Sequence, residues 1–104
     1  MRYNSRMFQV LQTPEYIRWF KELRDPQGRA RVLLRVKRLE LGNLGDVKSL
    51  GEGVMELRIH TGPGYRVYFL RRGTVTIMLL GGGDKGSQTA DIAAAKALAK
   101  ELKG

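Results

Sequence analysis

The chain predicts an α+β fold in which an antiparallel sheet packs against a helical hairpin and a last helix closes the chain, in the order β-α-α-β-β-β-α. Three observations carry this. Two proline-marked helix starts, Thr13-Pro14-Glu15 and Asp25-Pro26, stand close together. Two segments of alternating polarity flank Gly62-Pro63-Gly64. A lysine-rich amphipathic stretch ends the chain.

Phe8 and Val10 belong to a short first strand that stops at Thr13. There a hydroxyl N-cap, a proline at the first helical position and an acid in the first turn start a helix. Tyr16, Trp19, Phe20 and Leu23 recur at helical spacing and form its buried face, as core anchors more than as a base-stacking platform. Asp25-Pro26 repeats the device, so the first helix ends near Arg24 and the second follows at once as a hairpin, reaching residue 40 or 41 before Gly42 caps it. Ala30, Leu33, Leu34, Val36 and Leu39 are its expected apolar face. Arg31, Arg35 and Arg38 line up as a solvent-facing stripe, either an ordinary charged surface or a landing strip for RNA or an acidic partner.

Residues 42–46 read as a loop that delivers residues 47–50, Lys48 among them, to the edge of the sheet. In the next strand Met55, Leu57 and Ile59 share one parity, and Glu56, Arg58 and His60 the other. After the turn, Tyr65, Val67 and Phe69 oppose Arg66, Tyr68 and Leu70. Pairing these strands presents Arg58, Arg66, Tyr68 and His60 on one surface. Arg72-Gly73 signals another turn, and residues 74–80 make a last strand with Val75, Ile77 and Leu79 inward. Residues 81–87 read as a flexible glycine segment, and Ser87 or Thr89 caps a helix whose stripe is Ile92, Ala95, Ala99 and Leu102, opposite Lys96, Lys100 and Lys103.

The 104 residues suit a single domain over residues 7–104 in two layers, with residues 1–6 as an extension or disordered lead-in. Nineteen Lys and Arg against ten Asp and Glu give a formal charge of +9, which favours a polyanionic partner, nucleic acid foremost. No apolar run approaches the roughly 20 residues of a membrane-spanning helix, so a cytoplasmic protein without a membrane partner is expected. The chain has no cysteine and one histidine, which removes disulfides, thiol nucleophiles and thiolate zinc sites and leaves metal chemistry without a ligand set. It also removes two-histidine ribonuclease chemistry. In residues 81–87 the lysine precedes a glycine, the wrong order for a triphosphate-binding loop, although Lys85 remains a phosphate-contact candidate beside a helix start.

Arginines gathered on a sheet face suit phosphate, because a planar guanidinium matches two phosphate oxygens and stabilises charge building on them. Cleavage of RNA further requires activation of a 2′-hydroxyl, for which His60, an acid such as Glu56, or a lysine is available. His60 beside a glycine-rich turn also reads as a turn-packing residue.

Residues 10–16, 46–59, 62–69 and 79–85 resemble the RelE/ParE superfamily of type II toxins, in particular the HigB-like "addiction module killer protein" branch. Glu56-Leu57-Arg58-Ile59 and Gly62-Pro63-Gly64-Tyr65-Arg66-Val67-Tyr68-Phe69 carry the likeness most specifically, and the helices least. The resemblance implies the same order of elements and ribosome-dependent cleavage of mRNA with no metal or organic cofactor. It implies functional roles for Arg58, Arg66, Lys48 and Lys85, which match the family's basic residues by position. Joined to the strand and helix readings above, catalysis is assigned to Arg58, Arg66, Lys85 and His60, and RNA binding to Lys48, Tyr68, Arg31, Arg35 and Arg38. The implied partners are the ribosome, mRNA and a cognate antitoxin, often a helix-turn-helix protein, with the toxin alone a monomer or part of a toxin-antitoxin hetero-oligomer. Where family members place a tyrosine or histidine before the last helix, this chain has Gly86-Ser87-Gln88-Thr89. The ParE arm keeps the fold but poisons DNA gyrase, so gyrase inhibition and noncatalytic RNA binding stand as alternatives.

Overall fold

The computed structural model describes residues 7–103, so the extension expected over residues 1–6 lies outside the described residues. The elements run β1 (Gln9–Gln12), α1 (Pro14–Glu22), α2 (Pro26–Glu40), β2 (Val47–Gly51), β3 (Val54–Ile59), β4 (Tyr65–Arg72), β5 (Thr76–Asp84), a 3₁₀ turn (Lys85–Ser87) and α3 (Gln88–Lys103). The result is an α+β fold with one five-stranded sheet in the order β1-β5-β4-β3-β2. The sheet has one strand more than expected, since residues 47–51 pair antiparallel with β3. It is also mixed, because β1 runs parallel to β5.

Both proline-marked starts form as expected. The Thr13 hydroxyl accepts from the Tyr16 amide and donates to the Leu79 carbonyl at 2.7 Å, tying the start of α1 to β5. Asp25 caps α2 through the Gln27 amide, and Gly42 follows the C-terminal end of α2 with φ 91°. The face that α2 buries differs from the expected one. Val32 and Leu39 are fully enclosed, with Gly28 beside Tyr65, while Ala30, Leu33 and Leu34 are exposed. Helical spacing from Gly28 through Val32 and Val36 to Leu39 marks that stripe, whereas the adjacent leucines lie off it.

The molecule has three layers instead of two. The hairpin packs on one sheet face, where Tyr16, Val32 and Leu39 meet Leu57, Ile59, Val67, Phe69, Ile77 and Leu79. On the other face Ala95 and Ala99 of α3 lie on Val54, Tyr68, Leu70 and Leu80. This is why residues 65–70 of β4 are buried without alternation: a central strand covered on both sides has no solvent parity.

Residues 81–84, expected as part of a flexible segment, are the second half of β5 and pair with residues 65–68 of β4. The glycines serve close packing there. A Cβ on Gly82 would lie 2.5 Å from the ring of Trp19, and one on Gly83 would meet the Asp91 carboxylate. A bulge opposite Tyr68 and Phe69 inserts Leu80, sending Leu79 to the hairpin core and Leu80 to the α3 core. Val75, expected inward, lies before β5 and is exposed. Among the described residues no helix is long and apolar enough to cross a membrane.

Candidate nucleic-acid interface

The sheet face under α3 divides into two halves. Its apolar half is covered by the alanine stripe, and its cationic half begins where α3 begins. Two cross-strand rows build the cationic half: Lys48, Glu56 and Tyr68 stand opposite one another, and Arg58 stands opposite Arg66. Lys85 follows β5 in the 3₁₀ turn, its side chain lying against Gly64.

Glu56 organises this half. It is fully buried, and its Oε1 accepts from Arg58 Nε at 3.0 Å while Oε2 accepts from Gln88 Nε2 at 2.6 Å. Arg66 Nε lies 4.0 Å from Oε2, and its Nη1 donates to the Gly64 and Tyr65 carbonyls. A buried carboxylate between two guanidiniums offsets their mutual repulsion and fixes where they stand. With both oxygens engaged and no access to solvent, Glu56 is not placed to take a proton from a substrate hydroxyl. Among the described residues Arg66 Nε and the Tyr68 hydroxyl have no hydrogen-bond partner.

Arg58 and Arg66 thus share a surface as expected, but unequally. The Arg58 side chain is 30 % exposed and that of Arg66 only 7 %. Tyr68 corrects the expectation outright: it is buried beneath α3, so it offers RNA no ring to stack on. Burial, with the Glu56 and Asp91 carboxylates nearby, pushes its phenol well above the ordinary tyrosine range.

At the open end of β3 and β4, His60, Arg66 and Lys85 line a cleft of about 310 Å³ with the turn residues Thr61 to Gly64. The turn is anchored from below, because the Tyr65 hydroxyl donates to Asp25 Oδ2 at 2.8 Å. That bond, with the Gly28 amide, holds the Asp25 carboxyl below its usual range.

A second cleft, of about 340 Å³, adjoins the first at His60 and is lined by Arg31, Arg35, Arg38 and Asp46. Arg31 and Arg38 are exposed, as expected. Arg35 is a brace: it donates to the carbonyls of Arg58 at 2.5 Å, Leu44 at 3.3 Å and Asp46 at 3.4 Å. Its partial burial lowers its pKa from the usual arginine value. The stripe therefore divides into two exposed cations and one structural one.

His60 Nε2 lies 2.5 Å from Asp46 Oδ2, with both side chains largely exposed. The hydrogen bond from His60 holds the Asp46 carboxyl below its usual range, and the charges of His60, Arg58 and Arg35 act in the same direction. Residue spacing gave no sign of this pair, since β2, β3 and the turn between them separate the partners. Glu56 and Arg58, two apart on a strand, were visible as neighbours, but the Gln88 contact depends on the docking of α3.

A third cleft, of about 420 Å³, lies between α1 and α3. Glu15, Asp91 and Glu101 line it with Trp19 and Leu98, and among the described residues no lysine or arginine does, so it does not suit a polyanion. Among the described residues no group of three or more His, Asp or Glu is placed to hold a metal.

No family model matches the chain. Over 94 residues, 90% of this chain and 95% of the relative, it is 45% identical to an uncharacterized protein of Haemophilus influenzae.

Proposed function

We propose that this chain, which belongs to one family with that Haemophilus influenzae protein, is the toxin of a type II toxin-antitoxin system and cuts mRNA on the ribosome. The observation that carries the reading is the cleft where His60, Arg66 and Lys85 meet, with Arg58 and Lys48 on the adjoining sheet face. The order of a strand, a helical hairpin, an antiparallel meander and a closing helix supports membership of the RelE/ParE superfamily, in its HigB-like branch. So do the Glu56 to Ile59 and Gly62 to Phe69 segments.

In this reading a phosphodiester enters the cleft and is held by Lys85 and Arg66, with Arg58 at its margin. Their charge is already gathered where negative charge develops on the non-bridging oxygens, so little reorganisation accompanies the reaction. Exposed Lys48, Arg31 and Arg38 add attraction along the backbone without reading bases. A cognate antitoxin, expected to be a small helix-turn-helix protein, would neutralise the toxin by covering this cationic half.

Expression of the gene alone in growing cells tests the proposal. Growth arrest accompanied by breaks in translated messages, both lost in Lys85→Ala, is the expected result. DNA damage signalling without transcript breaks would point to gyrase as the target, and RNA binding without arrest would point to a noncatalytic module.

A further inference from the structure

With Glu56 enclosed and Tyr68 under α3, the groups left to move a proton at the cleft are His60 and Lys85. One of these has a built partner. Asp46, just before β2, lies 2.5 Å from Nε2 of His60 through Oδ2. Asp46 is itself held from behind: Arg35 donates to its main-chain carbonyl, and the Arg58 amide donates to the same carbonyl at 2.9 Å. A carboxylate on one ring nitrogen fixes the tautomer with the proton there, which leaves Nδ1 as an acceptor. His60 also lines both clefts, so a strand passing between them crosses it.

We propose that Asp46 and His60 form the proton-transfer pair of this site, with His60 the base that activates the attacking 2′-hydroxyl and Asp46 the residue that positions it. The inference rests on the nuclease reading above. Nδ1 of His60 takes the proton from O2′, O2′ bonds to phosphorus, and the bond from phosphorus to O5′ breaks. The O5′ leaves with the bonding pair and takes a proton from the Lys85 ammonium. The products are a 2′,3′-cyclic phosphate and a 5′-hydroxyl end, and both side chains recover their starting forms by exchange with water. The aspartate also stabilises the imidazolium formed midway. Arg31, Arg35 and Arg38 on α2, Arg58 on β3, Arg66 on β4 and Lys85 oppose that charge, and among the described residues lining the two clefts Asp46 is the one acid that offsets it.

The test is cleavage of a defined message on purified ribosomes by the full chain, with His60→Ala, Asp46→Asn and the double variant. The proposal expects His60→Ala to lower kcat by about 100-fold or more, and added imidazole to restore part of it. Asp46→Asn should lower kcat by about 10- to 100-fold with KM within about twofold, change the acid limb of the pH–rate profile, and have no further effect once His60 is absent. If the parent cuts and His60→Ala cuts as fast, the pair is overturned while the nuclease reading stands. The same holds if Asp46→Asn acts equally with and without His60. If the parent makes no breaks, the nuclease reading falls and takes the pair with it.

Discussion

Arg58 and Arg66 stand directly opposite each other on β3 and β4, and both turn towards the buried carboxylate of Glu56. Two guanidiniums on adjacent strands repel, and an isolated carboxylate in a dry core is costly. Together they hold a cationic surface at one end of the sheet, and Gln88 closes the arrangement from the first residue of α3.

Removing Glu56 therefore leaves Arg66 buried beside a second cation without its counter-charge. Glu56→Ala is expected to lower stability by about 3 kcal/mol, read from urea denaturation at neutral pH. A change below about 0.5 kcal/mol would mean that the two arginines do not depend on it.

The bond from Tyr65 to Asp25 predicts a pH dependence. The folded-state pKa of Asp25 is depressed, so its contribution is present above the unfolded carboxyl value of about 3.9 and is lost as pH falls through the lower folded value. Asp46 acts in the same direction and the same window. Urea midpoints measured from pH 6 downward should fall below about pH 4, and Tyr65→Phe should make that fall shallower.

Gly28 lies beneath the ring of Tyr65, where a Cβ would come within 2.5 Å of Cε2. Gly28→Ala has to displace the ring and loosen its bond to Asp25, costing about 1–3 kcal/mol despite the better helix propensity of alanine. A thermal melt at or above the parent's midpoint would show that the ring moves freely.

The arginines of α2 should separate by role. Arg31→Gln with Arg38→Gln should leave stability within about 0.5 kcal/mol and flatten the salt dependence of single-stranded RNA binding by about 1.4 in log-log slope, as two lost phosphate contacts require. Arg35→Gln should instead destabilise, since it removes donors from the carbonyls of Leu44, Asp46 and Arg58.

The features readable from sequence were those decided within a few residues. Thr13-Pro14 and Asp25-Pro26 marked both helix starts, and alternation through residues 55–70 put Arg58 and Arg66 on one surface. What escaped was decided by contacts between distant segments. Residues 47–51 are short and show no alternation, so only pairing with β3 makes them a strand. Glycines 81–83 carry a loop signal, yet Trp19 and Asp91 require their lack of side chains inside a strand. The burial of Tyr68 follows from α3 docking over Val54, Leu70 and Leu80, residues that share the parity of the arginines or enter through the bulge. The Asp46 contact with His60 joins two loop ends that no local pattern relates.

Whether the cleft of His60, Arg66 and Lys85 handles an RNA phosphate is decided by mapping 5′ ends on a message translated by purified ribosomes. Discrete breaks ending in 5′-hydroxyls are expected with the parent protein, and their loss with Lys85→Ala of unchanged thermal stability. An intact message with the parent, or an unchanged pattern of breaks with the variant, would contradict it.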